Sequence, residues 1–489
     1  MNRRFTELSA LLQHASCLAN IDRLRDGYIP SPEEKSAILE MSSKLSAYQS
    51  TAPRVLRERL QTQLAVNQSI ISPLRRVPRE IFSEIFVVLA DMEKYPDRVK
   101  AISTTVTLVC KGWRAIAHAT PQLWTYISLS GLPKWSGNPD CVKLLRLSGG
   151  LPLLIDLSDV ENLAGAEDAL YQIFLASPRW KVLSCHDVCA KIELHEPLDV
   201  PILEEVSATI SQSATGRPLG FISGATTLRR LQLLLGQNDA EDIDWSGITL
   251  PAFPSLKKLT LVVACGILED NPALHLALAT LRDHRASLTE LVLVMYGGLP
   301  PPQRSVAPTL IEMDALRDIY LGDALSCEVL KHIAAPGLEE VVLQGMTELP
   351  ERSPFPFVHA FLSRQSLRIK RLSLDNLESP DYEELVSCLR LLSHLEEFRV
   401  RETDIQLKLL TPDLLRDLAV SEDRQALLPR LTTIRLGISH NKAMLSIKAD
   451  LDTMLHSRDV PLICASQAVC KLETVEITSG KDVFDGDWW

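Results

Sequence analysis

The chain is 489 residues long, too long for one ordinary core, so several domains or a repeat array are expected. Hydrophobic residues make up 46% and charged residues 23%, proportions that exclude a disordered or fibrous chain. The net charge of −11 is uneven: residues 1–72 carry nine Lys/Arg against seven Asp/Glu and residues 73–130 eight against five, so 131–489 holds −16, which argues against nucleic-acid binding by that part and for a basic-surfaced partner.

The ten Cys are scattered rather than set at disulfide-framework spacings. The start, Met1-Asn2-Arg3-Arg4-Phe5, is basic, but Gln13 and His14 interrupt any apolar core of a signal peptide. No window approaches the roughly 18–20 apolar residues of a membrane span. The expected compartment is cytoplasm or nucleus, with reduced thiols and no membrane contact.

In chain order, residues 6–28 read as a helix with Leu11, Leu18 and Ile21 on one face. Pro30 and Pro32 break it, and Ser31 is placed to cap the next. Residues 33–49 then set Ile38, Met41, Leu45 and Tyr48 at steps of three and four, and a third helix, 54–70, carries Leu56, Leu60 and Leu64. This region, 1–71, is either an antiparallel hairpin packed on itself or on the next domain, or a short coiled-coil arm. Two heptads are fewer than the three or four a sustained coiled coil needs, which favours the hairpin.

Residues 72–130 form the next unit. Pro78 suits a first helical turn, where its missing N–H costs nothing. The helix that follows carries Ile81, Phe82, Ile85, Phe86 and Leu89. Residues 91–103 are polar, include Pro96 and read as a loop. A second helix, about 104–119, presents Val106, Val109, Cys110, Trp113, Ile116 and Ala117 on one apolar face, and Thr120-Pro121 ends it before Leu123-Trp124. A buried Trp needs a partner for its indole N–H, which a nearby carbonyl can supply. Cys110 on such a face reads as packing rather than as a nucleophile.

From about residue 140 a triplet recurs: apolar, two residues, apolar, one residue, apolar. It begins at Val142/Leu145/Leu147, Trp180/Leu183/Cys185 and Leu203/Val206/Ala208. It continues from Leu228/Leu231/Leu233 through Leu256, Leu288, Leu316, Leu338, Ile369, Leu395 and Leu431 to Leu472/Val475/Ile477, at intervals of 28, 32, 28, 22, 31, 26, 36 and 41 residues. Two apolar residues separated by one make the inward face of a short strand. Helix-length segments such as 271–285, 323–334, 356–365 and 381–393 lie between triplets. Strand plus helix at about this period is the leucine-rich repeat, whose units bury their apolar faces only by stacking. The intervals exceed the usual ~20–29 residues and no Asn ladder follows the strands, so an irregular horseshoe is expected over 131–489.

Other constellations carry no chemistry. Cys185-His186 with Cys189 and His195 lacks zinc spacing, and Cys185 fills an inward strand position. Gly297-Gly298 and Pro300-Pro301-Pro302 read as a rigid connection rather than a polyproline ligand. The acidic tail 484–489, ending Trp488-Trp489, is either a recognition motif or a repeat cap. No nucleophile elbow, phosphate-binding loop or His-Glu-x-x-His is present.

The segment Ser72–Trp124 resembles the F-box. Val77-Pro78-Arg79-Glu80-Ile81-Phe82-Ser83-Glu84-Ile85-Phe86 occupies a pattern close to Leu-Pro-x-Glu-Ile-Leu-x-x-Ile-Phe, with Val77 and Phe82 where Leu is commonest. Val109-Cys110-Lys111-Gly112-Trp113-Arg114 matches the second signature and Pro121–Trp124 the Pro-x-Leu-Trp ending. The resemblance covers about 50 of 489 residues. It implies an α+β multidomain protein: an N-terminal helical segment, a three-helix F-box and an α/β leucine-rich-repeat solenoid. It further implies a substrate receptor of an SCF-type cullin–RING ubiquitin ligase, bound through a Skp-family adaptor, with no catalysis or cofactor of its own. Leu74, Val77, Pro78, Ile81, Phe82, Ile85 and Val109 are then expected to face the adaptor, and Phe86, Cys110, Trp113, Leu123 and Trp124 to form the domain core. The substrate, a protein, would sit on the repeats. The competing readings are a repeat scaffold acting outside a ligase and, with no acid, base or nucleophile set to support it, an enzyme.

Overall fold

The computed structural model describes residues 2–92, 102–129, 139–157, 167–186, 197–210, 219–236, 248–264, 272–296, 310–345, 353–364, 368–377, 382–402, 408–438, 441–464 and 467–479. It divides into two compact units: residues 1–156 with 160–180, and residues 157–159 with 181–489. The helices of 2–70 and the 72–129 segment thus belong to one unit. No helix among the described residues is long and apolar enough to cross a membrane.

The first unit opens with helices α1 (Asn2–Leu18), α2 (Ile21–Arg25), α3 (Pro32–Ser46) and α4 (Arg54–Ile70). The single helix expected over 6–28 is broken at Asn20, which is extended and accepts the Arg23 N–H on its side chain. Ser31 caps α3 in a reciprocal box: its hydroxyl accepts from Glu34 N–H at 3.2 Å while its own N–H donates to the Glu34 carboxylate at 2.9 Å. The predicted stripes are consumed internally. Leu8, Leu12, Met41, Leu45, Leu56 and Leu60 form one buried cluster, so α1, α3 and α4 pack on each other. Asn67, 1% exposed, fixes their register: it accepts from Gln63 at 2.9 Å and donates to Ser42 at 3.0 Å, and Gln63 donates to the Ala19 carbonyl at 2.7 Å. The apolar stripes named in α3 and α4 therefore face α1 and each other within this one chain.

Helix α5 (Arg79–Met92) follows a short 3-10 turn at Pro73–Arg76. Of the loop expected at 91–103, residues 93–101 lie outside the described residues. The continuous helix expected over 104–119 is not continuous. A π turn at Ile102–Val106 and one turn at Thr107–Val109 lead to Cys110 in extended conformation (φ −159°, ψ 170°), and a new helix runs Lys111–His118. The 3-10 turn Pro121–Trp124 leads into the short strand Tyr126–Ser128, which pairs in parallel with Leu153–Leu157. The first expected triplet is corrected here: Val142, Leu145 and Leu147 lie in the helix Pro139–Leu147, not in a strand. The helix buries Cys141 and Leu144, three apart, and exposes Val142, so the triplet is not its inward face; the strand sits later, with Leu153, Ile155 and Leu157 buried.

In the second unit, the strands 181–186, Glu205–Ile210, Arg230–Leu235, Lys258–Ala264, Glu290–Tyr296, Asp318–Gly322, Glu340–Gln344, Arg371–Asp375, Glu397–Glu402, Thr433–Ile438 and Thr474–Ser479 pair in parallel in chain order. Every later triplet lies at one of these strands, in register: Leu231, Leu259, Leu291, Ile319, Val341, Leu372, Phe398, Ile434 and Val475 form one row across the sheet. Each member is at most 4% exposed until the last, Val475, at 42%. Helices Phe355–Arg364 and Tyr382–Leu391 pack onto this face, with Val358, Phe361, Leu385 and Cys388 against Val341 and Leu372; the space left among them, about 10 Å³, holds no more than one water.

The entry to each strand from Arg230–Leu235 onward repeats one hydrogen-bond device. Arg229 and Arg230 both donate to the Glu204 carbonyl, Lys257 and Lys258 to that of Arg229, and Thr289 and Glu290 to that of Lys257. The pattern continues at every step to Glu473 and Thr474 on Thr432. Hydroxyls reinforce it where an Asn ladder would otherwise stand: Thr227 donates to Leu203, Thr289 to Lys257 and Thr432 to Glu396.

Arg458 has no counterpart in the sequence reading. It is fully buried and donates to the carbonyls of Leu418 (2.8 Å), Leu428 (3.1 Å) and Leu427. Burial pushes its guanidinium down to about 10. Leu428 has φ +53°, a left-handed conformation that costs a Leu roughly 1–2 kcal/mol and that this clamp holds in place. Arg458→Met keeps much of the volume and strips the donors from three buried carbonyls. It is expected to destabilise the protein by about 3 kcal/mol, measured as a lower urea midpoint at unchanged m-value.

Candidate functional site

The site candidates in the first unit lie on α5 and its neighbours. At 3.6 residues per turn, Phe82, Phe86 and Ala90 fall on one side of α5, and Ile81, Ile85, Val88 and Met92 on another. The first set is buried, at 6%, 1% and 0% exposure. Phe82 and Phe86 hold the Trp113 ring between them, at centroid distances of 5.3 and 5.1 Å. The second set is exposed, at 51%, 50%, 58% and 77%. An apolar helix with one face in a core and a second face in solvent is not explained by its own fold.

This placement sorts the expected residues. Ile81 and Ile85 are on the open face, and Val88 and Met92 extend it. The latter two were missed because no signature residue marks them, although the step of three and four from Ile81 points to both. Leu108, 65% exposed, lies in the next helical segment. Phe82 is corrected: it is buried in the aromatic cluster, because the step of four to Phe86 puts it on the core side. Leu74, Val77, Pro78 and Val109 lie elsewhere, along a groove of about 750 Å³ that α2, the 72–78 segment, α5 and the Lys111–His118 helix line together. Leu74 and Val109 are more than half exposed, Pro78 is exposed and Val77 half-buried.

Of the expected core residues, Phe86, Leu123 and Trp124 are buried. The Trp124 indole donates to the Ala117 carbonyl at 2.8 Å, the partner its burial requires. Trp113 is half-buried and completes the aromatic cluster. Cys110 is also half-buried, and its role is local: it caps the Lys111–His118 helix, its sulfur accepting the Trp113 N–H at 3.4 Å. Sequence periodicity missed this, since a thiol is not a usual cap and the residue fits the apolar stripe on both sides of the break.

The second unit presents a different surface. On the sheet face away from the buried row, Val292, Tyr320 and Val342 stand side by side on adjacent strands, the first two half-buried and Val342 buried. Beneath them Glu290, Asp318 and Glu340 also stand in register. Burial and the neighbouring Glu340 raise the Asp318 carboxyl above the usual range, against the pull of Arg371. Further along, Arg371, Arg399, Arg401 and Arg435 interleave with carboxylates: Arg371 with Glu340 at 2.6 Å, Arg401 with Asp375 at 2.5 Å and Arg435 with Glu397 at 3.0 Å. Arg399 lies 2.8 Å from Glu397. The face is therefore an apolar band bordered by a carboxylate row and an ion-pair network. Among the described residues no group of three or more His, Cys, Asp or Glu could hold a metal, and Cys189, His195, the 297–302 loop and the 484–489 tail lie outside them.

Because Cys110 acts as a cap rather than through thiol reactivity, Cys110→Ser is expected to hold stability within about 0.5 kcal/mol, while Cys110→Val loses about 1 kcal/mol. Denaturation followed by Trp fluorescence separates the two. No protein-family model matches the chain, and no curated protein matches it at a significant level.

Proposed function

We propose that this chain is a substrate-recognition subunit of an SCF-type cullin–RING ubiquitin ligase. In this reading residues 72–130 are an F-box that docks a Skp-family adaptor, and residues 131–489 are a leucine-rich-repeat array that binds a protein substrate. The ligase chemistry belongs to other subunits, and this chain raises the local concentration of its substrate.

The observation that carries the reading is the two-sided α5. Ile81, Ile85, Val88 and Met92 are each at least half exposed on the helix that bears the F-box-like signature. Their opposite side is already committed to Phe82, Phe86 and Trp113. Exposed apolar rows of this kind mark interaction sites. On the substrate side, the support is the sheet face of the second unit. Its apolar positions Val292 and Tyr320 stand beside a row of charged side chains, Glu290 paired with Lys258 and Asp318 and Glu340 with Arg371, a mixed surface that suits a protein partner. The −16 of residues 131–489 favours a basic-surfaced one.

The test is co-expression of the full chain with a Skp-family adaptor and affinity capture. Wild type is expected to retain the adaptor and, with it, the cullin. Ile81→Asp with Ile85→Asp is expected to weaken adaptor binding by about 30-fold or more, on the scale of a hot-spot loss, with thermal stability unchanged because both side chains are exposed. Unchanged adaptor binding in that variant defeats the reading. Adaptor without cullin favours a scaffold outside the ligase.

A further inference from the structure

We infer that the groove of the first unit is a second binding site, separate from the open face of α5, for a short peptide segment that carries both apolar side chains and carboxylates. Its volume, about 750 Å³, lies in the range of built ligand sites.

The two walls are bonded to each other. Arg75, from the segment before α5, donates to the carbonyls of Leu24 (3.0 Å) and Tyr28 (3.5 Å) on the N-terminal side and of Ser69 (2.9 Å) at the end of α4. Lys111 pairs with Asp26 across the groove at 2.5 Å. These contacts hold the cleft open at a set width. They also occupy Arg75, Lys111 and Asp26.

What remains at the rim is cationic. Arg25, Arg76 and Arg79 line the groove, are exposed, and have no ion-pair partner among the described residues. Asp26, the one carboxylate in the lining, is already neutralised by Lys111. The walls between these charges are apolar, with Leu24, Leu74, Val77, Trp113 and Ile116. Apolar walls under three unpaired guanidiniums fit a ligand that buries Leu- or Phe-like side chains and offers carboxylates to the rim, where Arg forms bidentate pairs. Three unpaired cations release few counterions on binding, so the electrostatic term that drives nucleic-acid affinity is small here.

The groove and the open face use opposite sides of α5. Arg79, Phe82 and Ser83 line the groove. At 3.6 residues per turn they point roughly half a turn away from Ile81, Ile85, Val88 and Met92. Of the residues expected to face an adaptor, Leu74, Val77, Pro78 and Val109 line this groove; the inference assigns them to the peptide and leaves the adaptor Ile81 and Ile85 with Val88 and Met92, so that each partner can be removed without the other.

The test is fluorescence polarisation on the full chain with three labelled peptides. They share the same Leu and Phe positions and carry Glu, Gln or Lys at the positions between. The Glu peptide is expected to bind about tenfold more tightly than the Gln peptide, to lose affinity as salt rises, and to outbind the Lys peptide. Arg76→Glu with Arg79→Glu is expected to reverse the Glu-over-Lys preference, and Ile81→Asp with Ile85→Asp to leave it intact. If the charge-reversed chain loses stability, Arg76→Gln with Arg79→Gln is read instead, with loss of the preference expected. Failure of the Glu peptide to bind, equal affinity for all three peptides, or tighter binding of a single-stranded oligonucleotide overturns the inference. None of these outcomes bears on adaptor capture, which reads the other side of α5.

Discussion

The second unit depends on how each strand enters the sheet. Two successive N–H groups share one carbonyl of the strand before, from Arg229/Arg230 on Glu204 to Glu473/Thr474 on Thr432. Because the donors are backbone, the device works with Arg, Lys, Thr or Glu at the entry, and it leaves no Asn ladder to read. It also sets register, and register decides everything that follows. A slip of one residue would turn Leu231, Leu259 and Leu291 outward and bring Arg230, Lys258 and Glu290 into the core. With register held, connections of very different length can be tolerated between strands, since loop length costs little once its ends are fixed.

The first unit solves a different problem. The amphipathic stripes of α1, α3 and α4 close on one another, and the buried Asn67 relay fixes their alignment. α5 is not closed in this way. Its aromatic side builds a core with Trp113, and its aliphatic side stays open. Arg75 joins the two halves by donating to carbonyls of both α2 and α4, and so makes a groove out of what would otherwise be a seam. One helix thereby presents two chemically distinct sides: an aliphatic row, and a lining of arginine and aromatic groups.

Much of this was legible in residue spacing. The cap at Ser31 and the strand triplets from Trp180 onward follow from local rules: a hydroxyl before a helix and alternation at period two. The misses share a cause. Val142/Leu145/Leu147 has the strand triplet's spacing, but the segment is a helix that buries Cys141 and Leu144 and turns Val142 outward. Cys110 continues an apolar stripe on paper but interrupts it in space. Phe82 stands at a signature position, yet its step of four to Phe86 commits it to the core.

By itself the sequence determined the order of parts, helices first and recurring strands after, because hydrophobic period is a local property of the chain. It also determined that one short segment carries more large apolar side chains than a small core can use. Only the tertiary structure decided which of those side chains are spare. It placed Val88 and Met92 beside Ile81 and Ile85, moved Phe82 inward and opened the groove at Leu74 and Val77. It also buried Arg458 under three carbonyls, a site with no local signature at all. The physical reason is the same in each case: exposure and hydrogen-bond partners are set by residues distant in the chain, and spacing along the chain does not record them.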